Sequence, residues 1–581
     1  MLSGAELVLR ALEDEGIRFA FGIPGTHNIE LYDLLADSDR VRAILVTDEQ
    51  SAPFMADGVW RASGQMACVN VVPGAGLTHA MSGIAEAFMD CVPMLILGCG
   101  IRTDTGKAYQ LHDIDQGAIV APVTKGTFWP ERGEDIYPTI RKACALAREG
   151  RPGPVFVEIP ANLYLFRWSV GPLVGWSGDK PPTNRLTDQP TNELTDQPTN
   201  IDRAASMLAT ARRPLIYAGL GAANADLVAL AERLDAPVAT TFQGKGVFPE
   251  HHPLALWPGF GASAPPFARR IASECDVTLA IGCRFGEVAT GSYGAPPQGK
   301  LIHVDIDPEA VGRNYPADLG IVADARAFVA ALLSKLPLRV ADESRRAAIA
   351  IGRDEVAREL QAPAREGVSP GRLLRALQSQ LGPDTIFTTD SGNGTFLAVE
   401  NLTLDKPGQL LAPVDFSCMG YAIPAAIGAK LARPDAPVVA IEGDGAFLMT
   451  GLEILTAASL EIPVIVFVLR DRELAQIAQF QSVAFGRKSL SQLPDFGLAS
   501  ICRGLGVMCL ALTDDDAMES VVERAAAIAR EGRPVVIDVA VDYSRKTWFT
   551  RGVVKTNLGR LPWRDRLRFV GRAISRKLVK V

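Results

Sequence analysis

The sequence predicts an α/β protein: three successive doubly wound parallel-sheet domains followed by a basic C-terminal helix. Short β-branched apolar runs alternate with longer stretches of helical periodicity, the rhythm of βαβ units around a parallel sheet. That rhythm occurs three times, with breaks near residues 170–200 and 340–365. The 581 residues suit about three domains of ~150–200 residues each. With 48% hydrophobic and 22% charged residues, each domain has enough apolar material for its own core.

The first domain, residues 1–170, rests on AILVT with a helix from Ser51, ACVNVVP with a helix from Leu77, then MLILG and PVFVEI. PLIYAG, PVATT, VTLAIG and LIHVDID mark a central Rossmann-like domain over 201–340. TIFTTD, VVAIEG, VIVFVL and VVIDVAV mark a third over 365–545. Residues 171–200 contain PTNRLTDQ from Pro182, PTNELTDQ from Pro190 and PTN from Pro198. A unit so short and polar cannot bury a core, so it reads as a linker.

The tail, 546–581, differs in charge. From Arg551 onward ten Lys/Arg face one acid, Asp565, a net of +9 against -7 for the whole chain, which leaves the rest at -16. Trp563, Leu567, Val570, Ile574, Leu578 and Val581 share one face of a helix begun by Pro562. Such a basic amphipathic helix can lie on an anionic membrane or dock on an acidic protein surface through 562–581, the chain's own body included.

The negative total argues against nucleic acid as a partner. Nine cysteines without a CxxC pair read as reduced thiols in a cytoplasmic compartment. The N-terminus lacks the pattern of a signal peptide, and no run reaches the ~18 apolar residues of a membrane span.

The strongest chemistry lies in the third domain. VVAIE ends in Gly443-Asp444-Gly445 before a helical pattern, a turn whose backbone N–H groups can meet phosphate. The next strand ends at Asp471, 27 residues on, so both carboxylates are expected at adjacent strand ends, where they can share a hard cation. Asp444, Asp471, a backbone carbonyl near Glu473, phosphate oxygens and water would satisfy Mg²⁺. Two like charges so close need compensation, expected from Arg470 or Arg472.

GDG followed after this interval by a metal-binding residue resembles the diphosphate and Mg²⁺ motif of thiamine-diphosphate enzymes. The resemblance covers roughly residues 1–170 and 200–545 and points toward acetolactate synthase large subunits and related 2-oxo-acid decarboxylases and carboligases. It implies a pyrimidine-binding first domain and a diphosphate-binding third one. FGIPGTHNIELYDLL and VTDEQSAPFMADGVWRASG put the family's catalytic glutamate on Glu49, a carboxyl group set against the cofactor's pyrimidine ring. TTDSGNGTF implies diphosphate contacts from Asn393 and Gly394, shared with Gly443, Gly445 and Ala446. DFSCMGYAIPAAIGA puts Met419 where an apolar wedge bends the cofactor, and the carbonyl of Cys418 beside it.

Departures from the family fall at the cofactor, the metal and the substrate. His79 stands where Asn is usual, Asp471 where Asn is usual, and Phe480 where a tryptophan selects the substrate. His27 matches an active-site histidine of benzaldehyde lyase, and His112 lies near the family's FQE glutamine, so both are candidate proton carriers. His251, His252 and His303 read as surface or structural.

The resemblance further implies a homodimer or homotetramer acting on a small 2-oxo acid or related carbonyl compound. RRPLIYAGLG, TTFQGKGVFPE and IHVDIDPEAVG resemble the segments that hold FAD in acetolactate synthases, although relatives bind ADP or nothing there. Two rivals follow: a flavin-linked 2-oxo-acid oxidase recruited to the membrane periphery by its tail, and a non-catalytic regulatory relative.

Overall fold

The computed structural model describes residues 1–168 and 198–578, so most of the eight-residue repeat lies outside the described residues. Three six-stranded sheets, each wholly parallel, account for the three rounds of alternation.

In the first sheet the strands stand in the order Arg42–Leu45, Phe19–Gly22, Cys68–Val71, Leu95–Gly100, Val155–Pro160, Thr127–Phe128. The third repeats this topology: Leu410–Leu411, Ile386–Thr389, Val438–Gly443, Ile465–Arg470, Val535–Ala540, Met508–Leu512. The second runs Ala255–Pro258, Val238–Thr240, Pro214–Ala218, Val277–Ile281, Lys300–Asp305, Leu319–Val322, the order of a dinucleotide-binding fold.

Both faces of each sheet are covered, which is why the strands read as continuous apolar runs. In the third sheet Val438, Ala440, Val464, Val466 and Val468 enter one core, while Val439, Ile441, Ile465 and Phe467 enter another on the opposite face. The first of these cores also contains Val69, Val71 and Ile96 of the first sheet, so the first and third domains share one apolar interior.

Helices Ser51–Ser63 and Ala422–Ala432 cross inside that shared core. Each presents a glycine to the other's backbone. A Cβ on Gly58 would lie 2.1 Å from the Ala425 carbonyl oxygen, and one on Gly428 would lie 2.0 Å from that of Met55. Where the sequence shows a break near 340–365, the chain forms an 18-residue helix, Glu343–Leu360.

The tail forms helix Trp563–Leu578, which lies against helix Ala475–Phe485, with the Arg572 guanidinium 4.8 Å from the Phe485 ring centre. Trp563 and Leu567 are exposed. All nine cysteines are free thiols, and no helix among the described residues is long and apolar enough to cross a membrane.

Candidate active site

In an open parallel sheet, ligands sit beyond the carboxyl ends of the strands where the strand order reverses. In the third sheet that point lies between Ile386–Thr389 and Val438–Gly443. The segments leaving it are Asp390–Gly394 and Gly443-Asp444-Gly445. Helices Asn393–Asn401 and Asp444–Thr450 begin there with Gly392 and Gly443 as N-caps and no capping side chain. Their first-turn N–H groups therefore remain available to an anion. A Cβ on Gly443 would meet no atom within 4 Å and one on Gly394 none closer than 3.8 Å, so the glycines border open space.

Asp444 and Asp471 follow adjacent strands, as their spacing predicts. Asp444 Oδ2 accepts from the Arg472 N–H at 2.8 Å, and Asp471 Oδ1 from the Glu473 N–H at 3.2 Å. Burial first, then the charge of Asp444, pushes the Asp471 carboxyl up to about 7. Burial raises Asp444 as well. The Glu473 carboxylate is taken by Lys488.

The expected compensation by arginine side chains is met in part, by the charge of Arg470 on Asp444. Arg470 pairs with Asp538 and Asp495, both near 2.8 Å or closer, and lies over the Phe496 ring; Arg472 pairs with Asp495. Their guanidinium groups are spent on the neighbouring strand and loop, and Arg470 reaches Asp444 only as a lesser, longer-range influence behind two N–H bonds.

Met419 comes to the same place: its Cε lies 3.4 Å from where a Cβ on Gly445 would be. The turn holding it depends on Gly420, whose φ of 86° favours glycine. The buried Asp390 carboxylate accepts from the N–H groups of Gly420 at 3.1 Å and Ala422 at 3.0 Å, and burial pushes it up to about 6. Cys418 donates its N–H to Glu86 Oε2 at 2.9 Å, a bond from the third domain to the first.

In the first domain, Glu49 is buried at the start of helix Ser51–Ser63. Its Oε1 is 3.1 Å from where a Cβ on Gly76 would be, and its Oε2 is 3.5 Å from His79 Nδ1. Two residues earlier, Thr47 gives its N–H and hydroxyl to the third-domain Glu453. His27 and His112 meet edge to face with ring centres 5.5 Å apart. Burial, then the charge of His112, lowers the His27 imidazole. Gly74, beside His112, donates its N–H to Gln116 Oε1 at 3.1 Å.

The structure therefore gathers Asn393, Gly394, Gly443, Asp444, Gly445, Ala446, Asp471, Glu473, Cys418 and Met419 at one sheet edge. Glu49, His27 and His112 lie at strand ends of another, and Glu86 and Glu453 tie the two domains together. Sequence reasoning missed Asp390, Glu86, Glu453 and Gln116. The available signal was an acid inside an apolar helical run, as in SGIAEAFM. His303 is buried with both ring nitrogens bonded, to the Cys283 carbonyl and the Gly312 N–H, a structural role as expected.

Comparison with known proteins agrees with this geometry. Residues 2–119 match the thiamine pyrophosphate enzyme N-terminal TPP binding domain, 201–332 the central domain and 390–539 the C-terminal TPP binding domain. The chain is 34% identical to the probable acetolactate synthase large subunit of Methanocaldococcus jannaschii, over 93% of this chain and 92% of that one. It is 32% identical to the acetolactate synthase isozyme 3 large subunit of Escherichia coli, over 94% and 96%, and 33% identical to the acetolactate synthase of Mycobacterium bovis, over 94% and 89%. With all three domains matched and this identity sustained along nearly its whole length, the chain belongs to the thiamine-diphosphate-dependent enzymes and is similar to acetolactate synthase large subunits.

Proposed function

We propose that the chain is a Mg²⁺- and thiamine-diphosphate-dependent enzyme that decarboxylates a 2-oxo acid or related carbonyl compound, or forms or cleaves a C–C bond in it. The observation that carries this reading is the convergence of Asp444, Asp471, an open glycine turn and Met419 where the third sheet reverses its strand order. The donors fit the cofactor: two acids at one strand edge suit a hard cation, and the space at Gly443 suits a diphosphate.

Asp444, Asp471 and the backbone beside Glu473 would hold Mg²⁺. Asn393, Gly394, Gly443, Gly445 and Ala446 would hold the diphosphate, with Met419 and the Cys418 carbonyl against the rings. Bound thiamine diphosphate supplies a nucleophilic carbon that attacks a carbonyl group. Glu49 would hold a proton at the pyrimidine nitrogen. The lowered His27 imidazole is neutral near neutral pH, so it is able to take a proton from substrate, with His112 beside it.

Phe480, half-buried against the cluster of Phe242, Phe396 and Phe549, would set the size of the accepted substrate. Screening 2-oxo acids for CO₂ release, with and without aldehyde acceptors, tests the reading. Failure to detect either CO₂ release from any of them or a C–C bond formed or cleaved in the aldehyde reactions, with cofactor and Mg²⁺ present, contradicts it.

A second copy of the chain, in a homodimer or homotetramer, would cover the exposed Leu45, Leu448, Met449, Leu452 and Leu455. FAD would use the groove of about 770 Å³ lined by Arg151, Arg284 and Asp307–Asn314, whose three guanidinium groups, those of Arg151, Arg284 and Arg313, suit a diphosphate. The reading as a flavin-linked oxidase at a membrane surface draws on exposed Trp563 and Leu567 on the basic helix. A yellow protein activated by anionic lipid supports it; a colourless, lipid-indifferent one excludes it.

A further inference from the structure

We propose that the seam between the tail helix Trp563–Leu578 and helix Ala475–Phe485 is a binding site for a phosphate monoester group, held by Arg487, Arg572 and Ser489. A groove of about 280 Å³ opens there, lined by Gln481, Phe485, Arg487, Ser489 and Arg572. Among the described residues no carboxylate lines it.

Local structure sets these groups in place. Helix Ala475–Phe485 ends at Gly486, whose φ of 63° turns the chain back. Gln481, midway along the helix, then clasps the returning chain. Its Oε1 accepts from the Ser489 N–H at 2.9 Å and the Ser491 hydroxyl at 2.7 Å, and its Nε2 donates to the Ser489 carbonyl at 2.8 Å. The amide is thereby used up, while the Ser489 hydroxyl forms no hydrogen bond among the described residues. Arg487 is exposed and pairs with no carboxylate among them. Arg572 arrives from the other side of the seam, its guanidinium 4.8 Å from the Phe485 ring centre, so the ring backs the cation without neutralising it.

Charge is the reason an anion belongs there. Helix Ala475–Phe485 has no charged residue, and no acid occurs from 474 to 494 or from 566 to 581. Of the acids that flank these stretches in sequence, Glu473 is taken by Lys488, and Asp565 stands two helical turns before Arg572. The helix on which the basic tail lies therefore cannot neutralise it. Cations gathered from two segments repel one another unless an anion sits between them.

A phosphate monoester fits this donor set. Guanidinium groups pair with phosphate oxygens two at a time, two arginines match its charge of nearly -2, and the hydroxyl can serve a further oxygen. A carboxylate, with two oxygens and one charge, would leave one guanidinium unmatched. At ~30 Å³ for each water-sized group the groove holds roughly nine, so an ester with a small organic part fits. Once bound, the phosphate joins the tail to the helix that carries Phe480.

The test uses the holoenzyme saturated with thiamine diphosphate and Mg²⁺, so that the cofactor site is filled. Glycerol 3-phosphate is titrated calorimetrically at low ionic strength, and vesicles of phosphatidate, a monoester, are compared with vesicles of phosphatidylglycerol, a diester, at matched surface charge. R487Q, at an exposed position, and R572Q each weaken the binding about tenfold or more with unchanged unfolding midpoints. A preference for phosphatidate that R487Q removes marks a lipid headgroup as the source; binding of glycerol 3-phosphate without that preference marks a soluble ester. Absence of both overturns the proposal. So does binding that R487Q leaves unchanged, which would place the phosphate elsewhere, as in the groove of Arg151, Arg284 and Arg313.

Discussion

Asp390, inside TTDSGNGTF yet given no role by that motif, organises the Met419 turn. Its carboxylate receives the N–H groups of Gly420 and Ala422, and burial raises it to about 6. A raised folded-state value means that the folded chain binds this proton more tightly than the unfolded chain does. Its contribution to stability therefore grows as pH falls through the folded value of about 6 toward the unfolded 3.8, and shrinks as pH rises. The D390N variant lacks that dependence and loses one acceptor, at about 1–3 kcal/mol. In urea unfolding of the apoprotein, the wild type should exceed D390N by about 1 kcal/mol more at pH 5 than at pH 7.5; a constant gap contradicts the assignment. Asp444 and Asp471 were legible because they end consecutive strands at a known spacing. Asp390 was not, because its work is done on a turn 30 residues away, and pairing across that distance leaves no local pattern. The direct partners of Arg470, Asp538 and Asp495, were hidden for the same reason, being distant in sequence.

At the level of elements, period-2 alternation assigns Val438, Ala440 and their neighbours to one face and Val439 and Ile441 to the other, so the strands were readable. The crossing of Ser51–Ser63 with Ala422–Ala432 was not, since a glycine within a helix announces close approach without naming the partner. Gly428→Ala places a methyl against the Met55 carbonyl and should destabilise the apoprotein by about 1–3 kcal/mol. The same change at Gly504, which has open space around it, is predicted to be neutral or stabilising. Thermal unfolding of the two variants separates these outcomes, and equal midpoints would sink the account of the crossing. The tail helix was legible from its 3–4 spacing, whereas its neighbour, helix Ala475–Phe485, follows only from tertiary structure.

For the whole molecule, the first and third sheets share one strand order and enclose one apolar core. The exposed leucines at 448, 452 and 455 predict self-association. Light scattering should give a multiple of the chain mass, and Leu452→Glu should reduce it with loss of activity; a wild-type monomer with full activity contradicts this. Removal of residues 562–581 should leave the three-domain fold intact, as read by unfolding midpoint, and abolish any binding to anionic vesicles. The central claim is that Glu49 activates thiamine diphosphate held by the third domain. Hydrogen exchange at the reactive carbon of the bound cofactor, compared between the wild type and E49Q at equal cofactor occupancy, tests it most directly. The account predicts a loss of about 10²–10⁴-fold in E49Q, and an unchanged rate would contradict it.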